Sequence, residues 1–247
     1  MKVLVFTNKK GGCSKTTSAK AVLDYMSGKG FKVLGIDLDS QCNLSYLSKS
    51  DDSVMNIADI FKDNVPITDC IQNLEKYDFI ASSKIVDNVA LLMDNVSQVF
   101  RLKKTLKDVK DIYDYVVIDT PPALSVSTVN ALAAATDVII PVHPDAFSLQ
   151  GTEDLVQIIN QITDVNENIK IDGILITRYK ARTNMSQLMS KNFQLYSSTL
   201  KTSIFNSMIR ESVLISESQL NRNSIFSYNS PVTEDYERFC SELMERL

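Results

Sequence analysis

The chain has 247 residues, 44% of them hydrophobic, which fits one α/β domain (residues 1–247) and leaves no room for a low-complexity polymer. A formal net charge of −4 favours no polyanionic partner overall, so such a partner has to be read from local charge. Cys13, Cys42, Cys70 and Cys240 lack CxxC spacing and His143 is the lone histidine, which excludes a zinc ligand set and argues against a disulfide framework.

Residues 2–7 form an apolar run that predicts the first strand; it is too short for a signal peptide, and a cytoplasmic protein is expected. The polar glycine loop Lys10-Gly11-Gly12-Cys13-Ser14-Lys15-Thr16-Thr17 follows, then a helix over 15–29 punctuated by Gly28 and Gly30. Strands are predicted over 32–38, 115–118, 137–142 and 171–177, with weaker candidates at 79–81 and 203–209. Helices are predicted over 97–109, 127–135, 149–162, 184–200 and 233–246. Strand and helix alternate, and runs such as Val116-Val117-Ile118 lack polar alternation. The expected fold is therefore a predominantly parallel twisted sheet with helices on both faces, of the P-loop type.

A glycine loop between a first strand and a first helix is where such a sheet takes phosphate, because backbone N–H groups and the helix N-terminus converge there. Lys15 would reach the β- and γ-phosphates and the Thr16 hydroxyl would ligate Mg²⁺. The strict GxxxxGK[ST] pattern is not met, since Lys9 and Ser14 stand where it requires glycine; the variant KGGxxK[ST] is met, and it adds Lys10. Two acidic elements end later strands: Asp37-Leu38-Asp39-Ser40-Gln41 and Asp119-Thr120-Pro121-Pro122. Ligands of open parallel sheets bind at the carboxyl ends of the strands, so Lys15, Asp37, Asp39 and Asp119 are expected in one crevice. Thr16, Asp37 and Asp119 are the metal candidates, and Asp39 could orient an attacking water. Any one of these aspartates could be a plain turn former or cap, and the loop alone could be a glycine turn with surface lysines.

Together the loop, the 37–43 segment and Asp119–Pro122 resemble the ParA/Soj partition ATPases, a deviant Walker A family that includes MinD. The resemblance implies that Lys10 crosses an ATP-bound sandwich homodimer to the partner's nucleotide, and that Lys15 and Thr16 hold phosphate and Mg²⁺. It further implies that Asp39 serves hydrolysis and that Asp119 is the Walker B aspartate. Met208-Ile209-Arg210 takes the place of the family's adenine-flanking segment, with Ile209 where proline is usual; Ser14 and Ser40 are further departures, for glycine and proline. The implied activity is a slow ATPase that binds DNA non-specifically in its ATP state, is nucleoid-associated then, and answers to a ParB-like centromere-binding activator.

The 38 residues from Gly173 to Arg210 carry six cations and no acid. Such a segment is a footprint for phosphate backbones, with Arg182, Lys191 and Lys201 on or beside the predicted helix as the chosen contacts; an ordinary solvated face is the plain alternative. A MinD-like membrane switch would need a basic terminal helix, whereas residues 234–247 hold five acids against two cations, so no membrane partner is expected. A metabolic ATP-dependent enzyme on the same scaffold is the remaining alternative.

Overall fold

The computed structural model describes residues 1–91, 99–145, 148–180, 188, 191–193, 197 and 202–247. Its centre is a seven-stranded sheet in the order β3-β4-β2-β5-β1-β6-β7, with β1 Lys2–Phe6, β2 Val33–Asp37, β3 Gln72–Asn73, β4 Asp78–Ile80, β5 Tyr115–Asp119, β6 Asp137–Val142 and β7 Lys170–Ile176. All pairings are parallel except the short β3–β4 edge. The expected architecture therefore forms.

Successive side chains of a strand point to opposite faces, and the strands feed two cores accordingly. Val3, Val5, Ile36, Val116 and Ile140 face one side, where they meet α3 (Ile57–Asp63), α6 (Val126–Ala134) and α7 (Ser148–Ile162). Leu4, Phe6, Val117 and Ile139 face the other, where α1 (Lys15–Gly28) packs with Val22, Leu23 and Met26, and α9 (Pro231–Arg246) with Tyr236, Phe239 and Leu243. Gly35 in β2 permits the closest approach on that side: a Cβ there would sit 2.6 Å from the Phe79 ring and 3.0 Å from Leu23 Cδ1.

Four further helices are described: α2 Asn43–Ser48, α4 Val86–Leu91, α5 Arg101–Thr105 and α8 Val213–Leu220; α2, α3, α4 and α8 were not elements of the sequence pattern. The predicted helix 97–109 is, where described, the short α5 followed by a 3₁₀ turn, and most of the predicted helix 184–200 lies outside the described residues. The weak strand candidate at 203–209 does not form a continuous strand. It runs along the free edge of β7 with single bridges, the Phe205 amide donating to Ile174 O at 3.0 Å and the Ile209 amide to Ile176 O at 2.9 Å.

Candidate functional site

The loop after β1 is built so that its backbone faces outward. Asn8, buried, donates from Nδ2 to Pro141 O at 2.6 Å and accepts the Lys10 amide at 3.0 Å, pinning the loop's start to β6. Thr177 Oγ1 at the end of β7 donates to Cys13 O at 3.0 Å and holds the far side. Gly12 has φ +73° and Ser14 φ +66°, left-handed conformations that turn the chain sharply into α1. Ser14 is the N-cap, yet its side chain caps nothing, so the first amides of α1 stay open to an anion. Lys15, 7% exposed, lies under the loop with Nζ donating to Lys10 O at 3.3 Å.

β2 and β5 pair in register Asp37↔Asp119, so two carboxylates arrive side by side at the same strand level. Asp119 Oδ2 accepts the Thr16 hydroxyl at 2.6 Å, while Asp119 Oδ1 is buried without a hydrogen-bond partner. Burial, then the charge of Asp37, pushes the Asp119 carboxyl well above its ordinary range, against the opposing pull of Thr16 and Lys15. Burial also raises Asp37, whose oxygens are already taken by the Ser45 amide and hydroxyl (both 2.8 Å) and the Asp39 amide (3.0 Å). Asp37 is thus a structural support for the 39–45 turn, and its place among the metal candidates is the weakest. Among the described residues no group of three or more His, Cys, Asp or Glu could hold a metal by itself. A hydroxyl beside one carboxylate with a free oxygen is instead a hard-oxygen pair of the kind Mg²⁺ prefers, with phosphate oxygens and waters filling its other positions.

Above this floor opens a cleft of about 640 Å³ lined by Gly11, Gly12, Ser14, Lys15, Thr16, Thr17, Asp39 and Gln41 on the loop side. Its opposite wall comes from Arg178 and from Glu211 through Gln219. The model for the AAA domain family matches residues 1–171. Chromosome-partitioning ATPase Soj of Treponema pallidum (strain Nichols) is 32% identical, with 99% of this chain and 98% of that one covered. The chain belongs to the Soj/ParA family of partition ATPases. A crystal structure described as that of a plasmid partition protein from Borrelia burgdorferi B31, bound to AMPPNP, matches with a TM-score of 0.82 at 28% identity, covering 100% of this chain and 99% of that one. Cobyrinic acid a,c-diamide synthase from Mycobacterium smegmatis, with bound ADP and magnesium, matches at 23% identity and a TM-score of 0.84, covering 99% and 94%; that likeness shows the fold alone.

Within this Soj/ParA chain the remaining predicted residues fall in different places. Lys10 does not line the cleft; its ammonium pairs with Asp145. Cys13 is buried, its thiol donating to Lys10 O at 3.1 Å. The 208–210 segment is not the cleft wall: Ile209 is buried in the α1–α9 core, and Arg210 binds Asp235 through Nε at 2.6 Å and a terminal nitrogen at 2.9 Å. The wall begins one residue later, because the chain peels off β7 at Glu211 and starts α8 on its Ser212 cap. Sequence reasoning missed Asn8, Thr177, Arg178 and Gln219, whose amide donates to Thr17 Oγ1 at 2.9 Å. The strand-end rule that found Asp119 points equally to Thr177 and Arg178; nothing local marks Gln219.

The basic segment is less cationic than its sequence. Arg178 and Lys180 both pair with Glu211, at 2.9 and 2.6 Å, and Arg210 pairs with Asp235. Lys191 is exposed, while Arg182 and Lys201 lie outside the described residues. Among the described residues no helix is long and apolar enough to cross a membrane.

Proposed function

We propose that this chain is an ATP-driven switch that acts as one ATPase domain over residues 1–247, hydrolysing ATP to ADP and phosphate and binding DNA without sequence preference when ATP-bound. The observation that carries the reading is that Lys15, Thr16 over Asp119, and Asp39 surround a single cleft at the carboxyl ends of three strands. In it the open α1 amides and Lys15 take the phosphates, and the left-handed turn at Gly12 lets the backbone approach them. Thr16 and Asp119 would hold Mg²⁺, which supplies charge neutralisation for the phosphoryl oxygens. Asp39 orients the attacking water.

Lys10 is paired with Asp145 in the single chain and stands outside the cleft, which supports a role toward a second copy rather than its own nucleotide. Without that second cation, turnover is slow, by on the order of 10³–10⁵ for a finger-type group. A homodimer in the ATP state and a ParB-like activator follow from this reading, with nucleoid association through exposed cations such as Lys191. The terminal helix α9 buries Val232, Tyr236, Phe239 and Leu243 against the core, which speaks for the partition branch over a membrane-lying helix.

The test mixes two variants. Lys10→Ala and Asp39→Ala chains should each bind ATP yet turn over negligibly alone. Mixed, they form one site that has its own Asp39 and the partner's Lys10, so partial activity returns. No rescue, with mixed dimers shown by light scattering, rejects the trans arrangement. Unimpaired Mg·ATP binding by Lys15→Ala rejects the site itself.

A further inference from the structure

We infer that Asp87 is a positioning residue for the hydrolytic loop, holding Asp39 in place through Ser40. The inference deepens the proposed ATPase reading and rests on it for the role of Asp39. Ser40 stands where the resembled family carries proline, a residue that stiffens a turn by fixing φ. Here the stiffness is supplied differently. The Ser40 hydroxyl donates to Asp87 Oδ2 at 2.5 Å, across 47 residues, a length in the range of charge-assisted O–H···O⁻ bonds.

The loop's other bonds are local. The Asp39 amide reaches Asp37 at 3.0 Å, the Gln41 amide returns to Asp39 Oδ1 at 3.0 Å, and the Cys42 amide to Asp39 O at 2.8 Å. These fix the turn's shape, and with the Leu38 amide on Asp119 O at 3.0 Å they tie its base to the ends of β2 and β5 but not its apex. The Ser40–Asp87 bond ties its apex to α4, in the wall of a cavity of about 330 Å³ that Asp39, Pro121 and Pro122 also line. Asp87 Oδ1 is buried with no hydrogen-bond partner, so the carboxylate's one described partner is Ser40, and losing it leaves both oxygens stranded. Asp39 and Gln41, the neighbours of Ser40, both line the nucleotide cleft, so a shift of the apex moves the group proposed to orient water.

Two arms test this. In the first, amide hydrogen exchange is followed on the nucleotide-free chain. Asp87→Ala and Ser40→Ala should each speed exchange at Gln41 and Cys42 by about tenfold, the population factor for one hydrogen bond of ordinary strength. Ser40→Pro should not, and Asp87→Asn, which keeps an acceptor, should fall between. In the second, ATP turnover is measured. Asp87→Ala should lower kcat by about 10- to 100-fold, the cost of a misplacement near 1 Å, with KM for ATP within about twofold. Placed in the Ser40→Pro background, Asp87→Ala should cost nothing further. Unchanged exchange in Asp87→Ala overturns the tether, and equal losses of kcat in both backgrounds overturn its role through Ser40. A parent chain without ATP turnover sinks the ATPase reading instead, and the exchange arm then still decides the tether.

Discussion

Ser14→Gly should make the protein more stable, although it removes a favoured capping residue. Ser14 sits at φ 66°, ψ 27°, in the left-handed region, and its side chain makes no bond to the α1 amides. That backbone costs a residue with a Cβ about 1–2 kcal/mol and costs glycine nothing. The opposing effect is the freer unfolded chain of glycine, about 0.4–1 kcal/mol. Loss of capping, ordinarily only a few tenths of a kcal/mol for glycine, falls away because no cap bond exists. The balance is a gain of about 0.5–1 kcal/mol, or about 1–4 °C in Tm for a chain of this size. Urea denaturation measures it, with the slope m unchanged so that the difference lies in the folded loop. A variant less stable than the parent would refute the reasoning, since it would mean that the hydroxyl makes a contact worth more than the strain it imposes.

Gly35→Ala should destabilise by about 1–3 kcal/mol in the same assay, because its methyl would overlap the Phe79 ring at 2.6 Å and Leu23 at 3.0 Å; shrinking Phe79 to Leu should recover part of the loss. Thr16→Ala should weaken nucleotide binding when Mg²⁺ is present and have little effect in excess EDTA; equal weakening in both conditions would remove Thr16 from the metal site. Burial alone would raise the Asp235 carboxyl, but the hydrogen bonds and charge of Arg210 and the hydrogen bond from Arg238 hold it below its usual range. A depressed carboxyl stabilises the fold above its unfolded value near pH ~3.9 and loses that contribution as pH falls through the lower folded value, so Asp235→Asn should flatten the acid limb of the stability curve. Lys191→Ala should weaken ATP-dependent DNA retention on any sequence and flatten its salt slope by about one; an unchanged slope makes Lys191 a solvated side chain only.

Much of this fold is legible because the parallel strands are covered on both faces. All six residues of β6 and all five of β2 are buried, so Val138-Ile139-Ile140 and Val33-Leu34-Gly35-Ile36 show no polar alternation and read as strands covered on both faces. The phosphate loop, Asp39 and Asp119 are legible for the same reason, since a buried strand that ends in a carboxylate announces where the ligand face begins. The short helices are not. α2, α3 and α4 span six or seven residues, fewer than two full turns of apolar spacing. The available signal for α3 is chemical instead: Asn56 and Asp59 form a capping box, with the Ala58 amide on Asn56 at 3.0 Å and the Asn56 amide on Asp59 at 2.8 Å. The cleft wall after Ile209 is illegible locally. What moves it by one residue is the Arg210–Asp235 pair, formed between a sheet edge and the first turns of α9, and no periodicity in either segment encodes that meeting.

The electrostatics of the floor tie these strands to the proposed chemistry. Two buried aspartates in register at adjacent strand ends repel one another, and burial penalises the charge of each. A protein selected for stability alone would replace one with a neutral residue. Instead Asp37 is satisfied by Ser45 and the Asp39 amide, while Asp119 keeps one oxygen unpartnered and binds the Thr16 hydroxyl with the other. The mismatch is therefore concentrated on the one carboxylate that faces Thr16 and Lys15. Such a residue is costly in the empty site and is relieved by a cation, so nucleotide with Mg²⁺ should stabilise the chain by more than nucleotide alone. Asp119→Asn should abolish that difference while raising the stability of the empty protein. An empty Asp119→Asn protein that is less stable than the parent would mean the buried carboxylate is already compensated, and the argument that this site awaits a cation would fail.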